Sequence, residues 1–184
     1  NCLPKTAWPP TSGTSPLEEE LVSAGATVLD RAWRDLDIHG TPLRLGGLYD
    51  YAFALDDRNS CDPDRMDPEV CRFLTDFQDT ERFTLMLSHR PDSFALGEAA
   101  RTWSIDLVLS GHAHGGIWRL PFTDGLLDTN LNWFPSFTSG FYHCTDEDCA
   151  GAEVFVSRGL GNSPKWALRL FNRPQLAVIT LKKG

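Results

Sequence analysis

The stretch that decides the fold is residues 83–116, which read FTLMLSHRPDSFALGEAARTWSIDLVLSGHAHGG. Its first part, Phe83–Leu87, is a continuous apolar run of the kind that forms a buried strand. A second apolar run at Ile105–Leu109 predicts another buried strand. The residues between the two runs show an apolar stripe at helical spacing, made of Leu96, Ala99, Ala100 and Trp103. Strand, helix and strand in this order predict a βαβ unit, whose crossover makes the two strands parallel.

Histidines follow both predicted strands. His89 comes after the first strand, and His112 and His114 follow the second within the glycine-rich stretch Gly111–Gly116. Because parallel strands bring their carboxyl ends to one edge of a sheet, where open α/β folds place their sites, we expect the three imidazoles to converge. Neutral imidazole is the commonest metal ligand, and glycines permit dihedral angles that other residues resist. The pattern predicts a metal site.

Each histidine motif also has an interpretation without metal. His89 alone is typical of a hydrogen-bonded residue at a sheet edge, and Gly111–Gly116 alone could be a glycine-rich turn with two solvated histidines. The predicted adjacency of the two strand ends favours metal binding over both alternatives.

Elements on either side of this core are predicted from local patterns. Ser15-Pro16-Leu17-Glu18 has the form of a capping box, so a helix should begin there and end at Gly25. Asp67-Pro68 should cap a second helix, whose buried face is Val70, Phe73, Leu74 and Phe77. Short apolar segments between turn residues predict further strands at Ala26–Leu29, Asp35–His39, Leu43–Leu48, Ala152–Ser157 and Gln175–Leu181.

The aromatic segment from Trp118 to Tyr142 has no regular period. Its side chains could line a hydrophobic groove for a lipid-like or aromatic leaving group, or they could simply belong to the core.

Composition indicates one domain over residues 1–184, with the proline-rich residues 1–14 forming a loop or a disordered end. A net charge of −8 gives no basic patch for a nucleic-acid backbone, so we expect no nucleic-acid partner. No apolar run approaches the roughly 20 residues that a membrane span requires.

The five cysteines include two closely spaced pairs, Cys61 with Cys71 and Cys144 with Cys149. Both pairs could form disulfides, which would suit a compartment outside the cytosol, or all five thiols could be unpaired.

Beyond these local patterns, the sequence resembles the C-terminal portion of the calcineurin-like metallophosphoesterases, in particular their membrane-associated bacterial branch. The resemblance is carried by SHRPD at residues 88–92 and by DLVLSGHAHGG at residues 106–116. Further similarity lies in the hairpin at residues 38–50, in VSRGLG at residues 156–161 and in RPQLAVITL at residues 173–181.

The resemblance implies a four-layer αββα sandwich with mixed sheets and two metal ions bridged by carboxylate and hydroxide. By position, His89 and His112 would bind one ion and His114 the other. Ligands of this type suit Mn, Fe or Zn better than Mg or Ca. Arg158 could contact the substrate phosphate, because guanidinium suits bidentate phosphate recognition, although a surface ion pair would explain it equally well.

The family's N-terminal motifs DxH, GDxxD and GNH[DE] are not present in usable form. Asp37-Ile38-His39 spells DxH, but it lies in the predicted hairpin, and no GDxxD or GNH separates it from His89. The chain begins at Asn1 without a methionine, so we expect an N-terminal segment of a longer parent protein to supply the missing ligands. We assign no catalytic residue here, and we expect this chain alone to bind at most one ion and to be inactive.

The leading hypothesis is therefore part of a hydrolase that cleaves phosphomonoesters or phosphodiesters, extracytoplasmic or membrane-associated in its complete form. The alternatives are a catalytically inactive metal-binding or interaction module on the same scaffold, and a purely structural domain with solvated histidines.

Overall fold

A computed structural model of the chain describes residues 15–49, 53, 67–95, 99–122, 124–127, 132–143, 152–161 and 168–182. The helices in these ranges are α1 Pro16–Ser23, α2 Pro68–Gln78, α3 Asp92–Ala95 and α4 Ala99–Thr102. The strands are β1 Ala32–Ile38, β2 Thr41–Leu48, β3 Phe83–Ser88, β4 Leu107–Ser110, β5 Trp118–Arg119, β6 Gly125–Leu127, β7 Gly140–His143 and β8 Glu153–Val156. The prediction for residues 1–14 lies outside the described residues. Of the paired cysteines only Cys71 lies inside them, so both disulfides stay predictions.

Six strands form one mixed sheet in the order β1-β2-β3-β4-β8-β7. The four inner strands are parallel to one another, and each edge strand runs antiparallel to the inner strand beside it. β3 and β4 are adjacent, with Leu85 opposite Leu107 and Leu87 opposite Leu109. The predicted βαβ unit and the mixed α/β fold class are therefore confirmed.

Helix α2 covers one face of this sheet. The Asp67 side chain caps it by accepting a hydrogen bond from the Glu69 amide, and its predicted apolar stripe is buried. Phe77 lies against Gly46 of β2, where an added Cβ would be 2.5 Å from Phe77 Cε2. Only a glycine leaves room for this ring, so the helix can approach the sheet closely. Met86 and Val108 of the central strands belong to the same buried cluster.

The opposite face of the sheet carries apolar side chains that remain partly open to solvent. The registers place Ile38, Phe83, Leu87 and Phe141 on this face, and their exposed fractions are 51%, 37%, 41% and 51%. We call these four residues, with Leu45, Leu85 and Leu109 between them, the open sheet face.

Two predicted strands are wrong. Residues 26–29 are irregular, because the Leu29 carbonyl packs where a side chain of Gly47 would lie and the first strand begins only at Ala32. Residues 175–181 are also irregular, with Leu176 and Val178 exposed. Pro174 has no amide hydrogen to donate to a neighbouring strand. The Arg158 amide donates to the Gln175 side chain, so it is not available to a backbone carbonyl in a strand pair.

Asp37, Ile38 and His39 lie at the end of β1 and in the turn to β2, as the predicted hairpin implied. His39 and Gly40 form the turn between β1 and β2, with φ of 53° and 80°, and the Gly40 amide donates to the Asp37 carboxylate at 2.7 Å. The resemblance of these residues to DxH is therefore a feature of a hairpin turn.

Candidate metal centre

The ends of β3 and β4 bring His89 and His112 together. The Gly111 amide donates to the His89 carbonyl at 3.0 Å, which joins the two chain segments directly after their strands. The two imidazole rings meet edge to face, with centroids 5.2 Å apart and planes at 82°. His89 is exposed and His112 half-buried, so the pair is accessible to a ligand from solvent.

The histidine turn, Gly111–Gly116, has an unusual backbone. His112 and His114 have φ of 61° and 48°, and Gly115 and Gly116 have φ of 72° and 66°. Histidine is among the few residues besides glycine that enter this region with any frequency, and each such residue still costs on the order of 1–3 kcal/mol. The surrounding structure must therefore hold the turn in place.

His114 is held with its ring partly buried. Burial lowers the pKa of His114 below its ordinary value, and electrostatic interactions with Arg169 and His89 lower that pKa further, while the Gly161 backbone acts in the opposite direction. The lowered pKa favours the neutral form of the imidazole.

Of the three predicted ligands, His89 and His112 are in ring contact, and His114 lies on the same turn as His112. Imidazoles are ligands that transition metals accept, so the residue types suit part of such a site. Across the described ranges, no group of three His, Cys, Asp or Glu side chains is already arranged around a common point for an ion.

Arg158 lies beside the histidine turn, on the loop that follows β8. Its amide and its Nε donate to Gln175 Oε1 at 3.1 and 3.5 Å. Its aliphatic stem packs on Gly115, where an added Cβ would be 2.8 Å from Arg158 Cγ. The sequence correctly indicated a loop near the site, and the predicted contact with phosphate stays a prediction.

Two residues that the sequence analysis missed hold these loops. The buried Asn172 amide donates to the carbonyls of His114 at 2.7 Å and Ile117 at 3.2 Å. The Arg169 guanidinium donates to the carbonyls of Arg158 and Gly159. No motif marks either residue, because their partners lie up to 58 positions away in the chain.

An open pocket of about 460 Å³ lies next to these loops. It is lined by the apolar residues Leu160, Leu168, Phe171 and Pro174 and by the cationic side chains of Arg169 and Arg173.

The chain is similar to the "uncharacterized metallophosphoesterase YkuE" of Bacillus subtilis (strain 168). The two are 26% identical over 173 residues, which cover 92% of this chain and 51% of the relative. The chain thus spans about half the length of the curated relative that it matches. This similarity supports the metallophosphoesterase family that the sequence motifs indicated.

No protein-family model matches the chain, and no solved structure matches it significantly. Over the described part of the chain, none of the helices has the length and apolar character needed to cross a membrane.

Proposed function

We propose that this chain contributes part of the metal centre of a phosphoesterase that hydrolyses phosphomonoesters or phosphodiesters. The observation that carries the proposal is the contact between the His89 and His112 rings at the carboxyl ends of two parallel strands, with His114 on the same turn. The similarity to a metallophosphoesterase supports the same reaction class.

In the proposed site, His89 and His112 hold one divalent ion and His114 holds a second one in the complete protein. Imidazole ligands favour Mn, Fe or Zn. Bound divalent ions of this kind supply positive charge for the phosphoryl oxygens and an activated water at neutral pH. Arg158, whose stem packs on Gly115, is proposed to bind the substrate phosphate through its guanidinium.

The remaining ligands are proposed to come from an N-terminal segment of the parent protein. Three imidazoles provide no bridging carboxylate, so this chain alone holds at most one ion. The relative is about twice as long as the matched region, which is consistent with a centre built from two halves of a longer chain.

The same proposal gives a role to the open sheet face. In a four-layer αββα sandwich, which we propose for the complete domain in the membrane-associated bacterial branch, a second sheet packs on this face. The partly exposed Phe83, Leu87 and Phe141 are the residues it would cover.

Metal uptake by this chain tests the proposal directly. We expect isothermal titration with Mn²⁺ or Zn²⁺ to give one weak site per chain, and His112→Ala to abolish it. His39→Ala is the matched control, because this histidine lies in the hairpin turn between β1 and β2 and should not affect binding.

Hydrolysis is tested in the full-length protein with a chromogenic phosphodiester, a chromogenic phosphomonoester and Mn²⁺. Loss of turnover in His112→Ala and not in His39→Ala supports the proposal, and equal rates for wild type and His112→Ala contradict it. Metal uptake without turnover in the full-length protein selects the inactive binding module instead.

A further inference from the structure

We infer that Leu168–Gln175, which we call the strap, positions His114 for metal binding, with Asn172 and Arg169 as its positioning residues. The inference rests on the proposed metal site and assigns a role to residues that do not themselves bind the ion. It follows from two connections between the strap and the turn that carries His114.

The first connection acts on the backbone of the histidine turn. Asn172 is 3% exposed, and its amide nitrogen donates to the His114 carbonyl and to the Ile117 carbonyl. These two carbonyls flank the left-handed residues Gly115 and Gly116. One side chain therefore links both ends of this left-handed segment, and it fixes the position of the His114 backbone from which the imidazole extends.

Close packing under the turn adds to this restraint. A Cβ placed on Gly115 would be 2.5 Å from Asn172 Oδ1 and 2.9 Å from Arg158 Cδ. The turn consequently rests directly on the Asn172 amide, with no space for it to shift toward the strap.

The second connection runs through the loop that follows β8. Arg169 donates to the carbonyls of Arg158 and Gly159, and so fixes this loop. The aliphatic stem of Arg158 packs on Gly115, which directly follows His114, so the loop also supports the histidine turn.

The polar groups of the strap are costly for stability alone. Within the described residues, Asn172 Oδ1 and Arg169 Nε are buried and have no hydrogen-bond partner. A buried polar atom without a partner destabilises a fold, so an apolar side chain at either place would serve packing better. What an apolar side chain lacks is the set of N–H donors that hold the two loops.

The test compares Asn172→Leu with wild type in metal titration and in the NMR spectrum of the imidazole nitrogens. We expect the affinity for Zn²⁺ to fall about 10-fold to 100-fold, the usual effect of removing a group that orients a ligand. In the metal-free protein, the imidazole nitrogen signals of His114 should shift because the turn that carries the ring is no longer held, while those of His143, which lies beside Glu153, stay unchanged.

Two further variants separate positioning from stability. Leu74→Ala, in the core of α2, should lower stability at least as much and leave Zn²⁺ affinity unchanged. Arg169→Lys keeps the charge but loses the donation to two carbonyls, so it should also weaken Zn²⁺ binding. It provides the test if Asn172→Leu does not fold.

The outcomes distinguish the two proposals. If wild type binds Zn²⁺ and both strap variants bind it equally well, the strap inference is wrong and the metal site stands. If wild type takes up no Zn²⁺, the proposed function fails, and unchanged His114 nitrogen signals in Asn172→Leu then overturn the strap inference separately.

Discussion

Replacing Gly115 by alanine tests how tightly the histidine turn is held against the strap. Gly115 has φ of 72°, a conformation that costs a side-chain-bearing residue about 1 kcal/mol. The new methyl group would also lie 2.5 Å from Asn172 Oδ1, so the Asn172 amide must move away from the carbonyls it serves. Losing those buried hydrogen bonds costs about 1–3 kcal/mol more. We therefore expect Gly115→Ala to lower the free energy of unfolding by about 2–4 kcal/mol.

The control for this experiment is Gly40→Ala. Gly40 has a similar φ of 80°, but an added Cβ would have no atom within 4 Å. Its cost should be the backbone term alone, about 1 kcal/mol. Urea unfolding of both variants at pH 7 measures the difference, provided that the denaturant slopes agree. If the two variants lose equal stability, the turn does not rest on Asn172 and the packing argument is refuted.

Three further predictions concern the fold that carries the site. Arg44→Met should lower the free energy of unfolding by about 2 kcal/mol, because Arg44 bonds Asp35 at 2.7 and 3.0 Å and also the C-terminal carbonyls of α2, while solvent partly screens the pair. Arg82 lies 3.6 Å from the same carboxylate, so Arg82→Met should lower it by less than about 0.5 kcal/mol. Equal losses for the two variants would contradict this prediction. The hydrogen bond from Arg44 is the main cause that lowers the pKa of Asp35. The difference in stability between wild type and Arg44→Met should therefore be largest above the ordinary carboxyl pKa, and it should shrink as pH falls through the lowered pKa of Asp35. Urea midpoints measured from pH 7 to about 3 test this prediction. Phe77→Ala should cost about 3–5 kcal/mol by thermal or urea unfolding, because the ring is fully buried against Gly46, and a loss below 1 kcal/mol would show that α2 does not pack there.

Local periodicity was enough to predict the central elements of the fold. The apolar spacing of Val70 and Phe77 predicted α2, and the run Phe83–Leu87 predicted β3, because burial on one helix face or inside a sheet leaves a short-range pattern. The strands predicted at residues 26–29 and 175–181 failed for the opposite reason. Both are irregular because of contacts with distant residues, which no local pattern records.

The candidate site likewise contains some residues that the sequence could predict and others that it could not. His89, His112 and His114 could be placed near one another because the βαβ order fixes which strand ends are adjacent. Asn172 and Arg169 could not be found, since an asparagine and an arginine in an aperiodic segment look like ordinary surface residues. Their importance depends on carbonyl groups of the backbone, whose positions the sequence does not reveal.

β4 and β8 lie side by side in the sheet although they are far apart in the chain, and this separation affects the order of folding. Ser110 pairs with Val156, so 45 residues intervene between two strands that lie side by side. Closing so long a loop is entropically slow, whereas β1 and β2 need only a tight turn. Since the Arg158 loop and the strap both follow β8 in the chain, we expect the contacts that hold the histidine turn to form only after β8 has joined the sheet. Zn²⁺ uptake should then appear with that slow step, well after the far-ultraviolet signal of the helices has recovered.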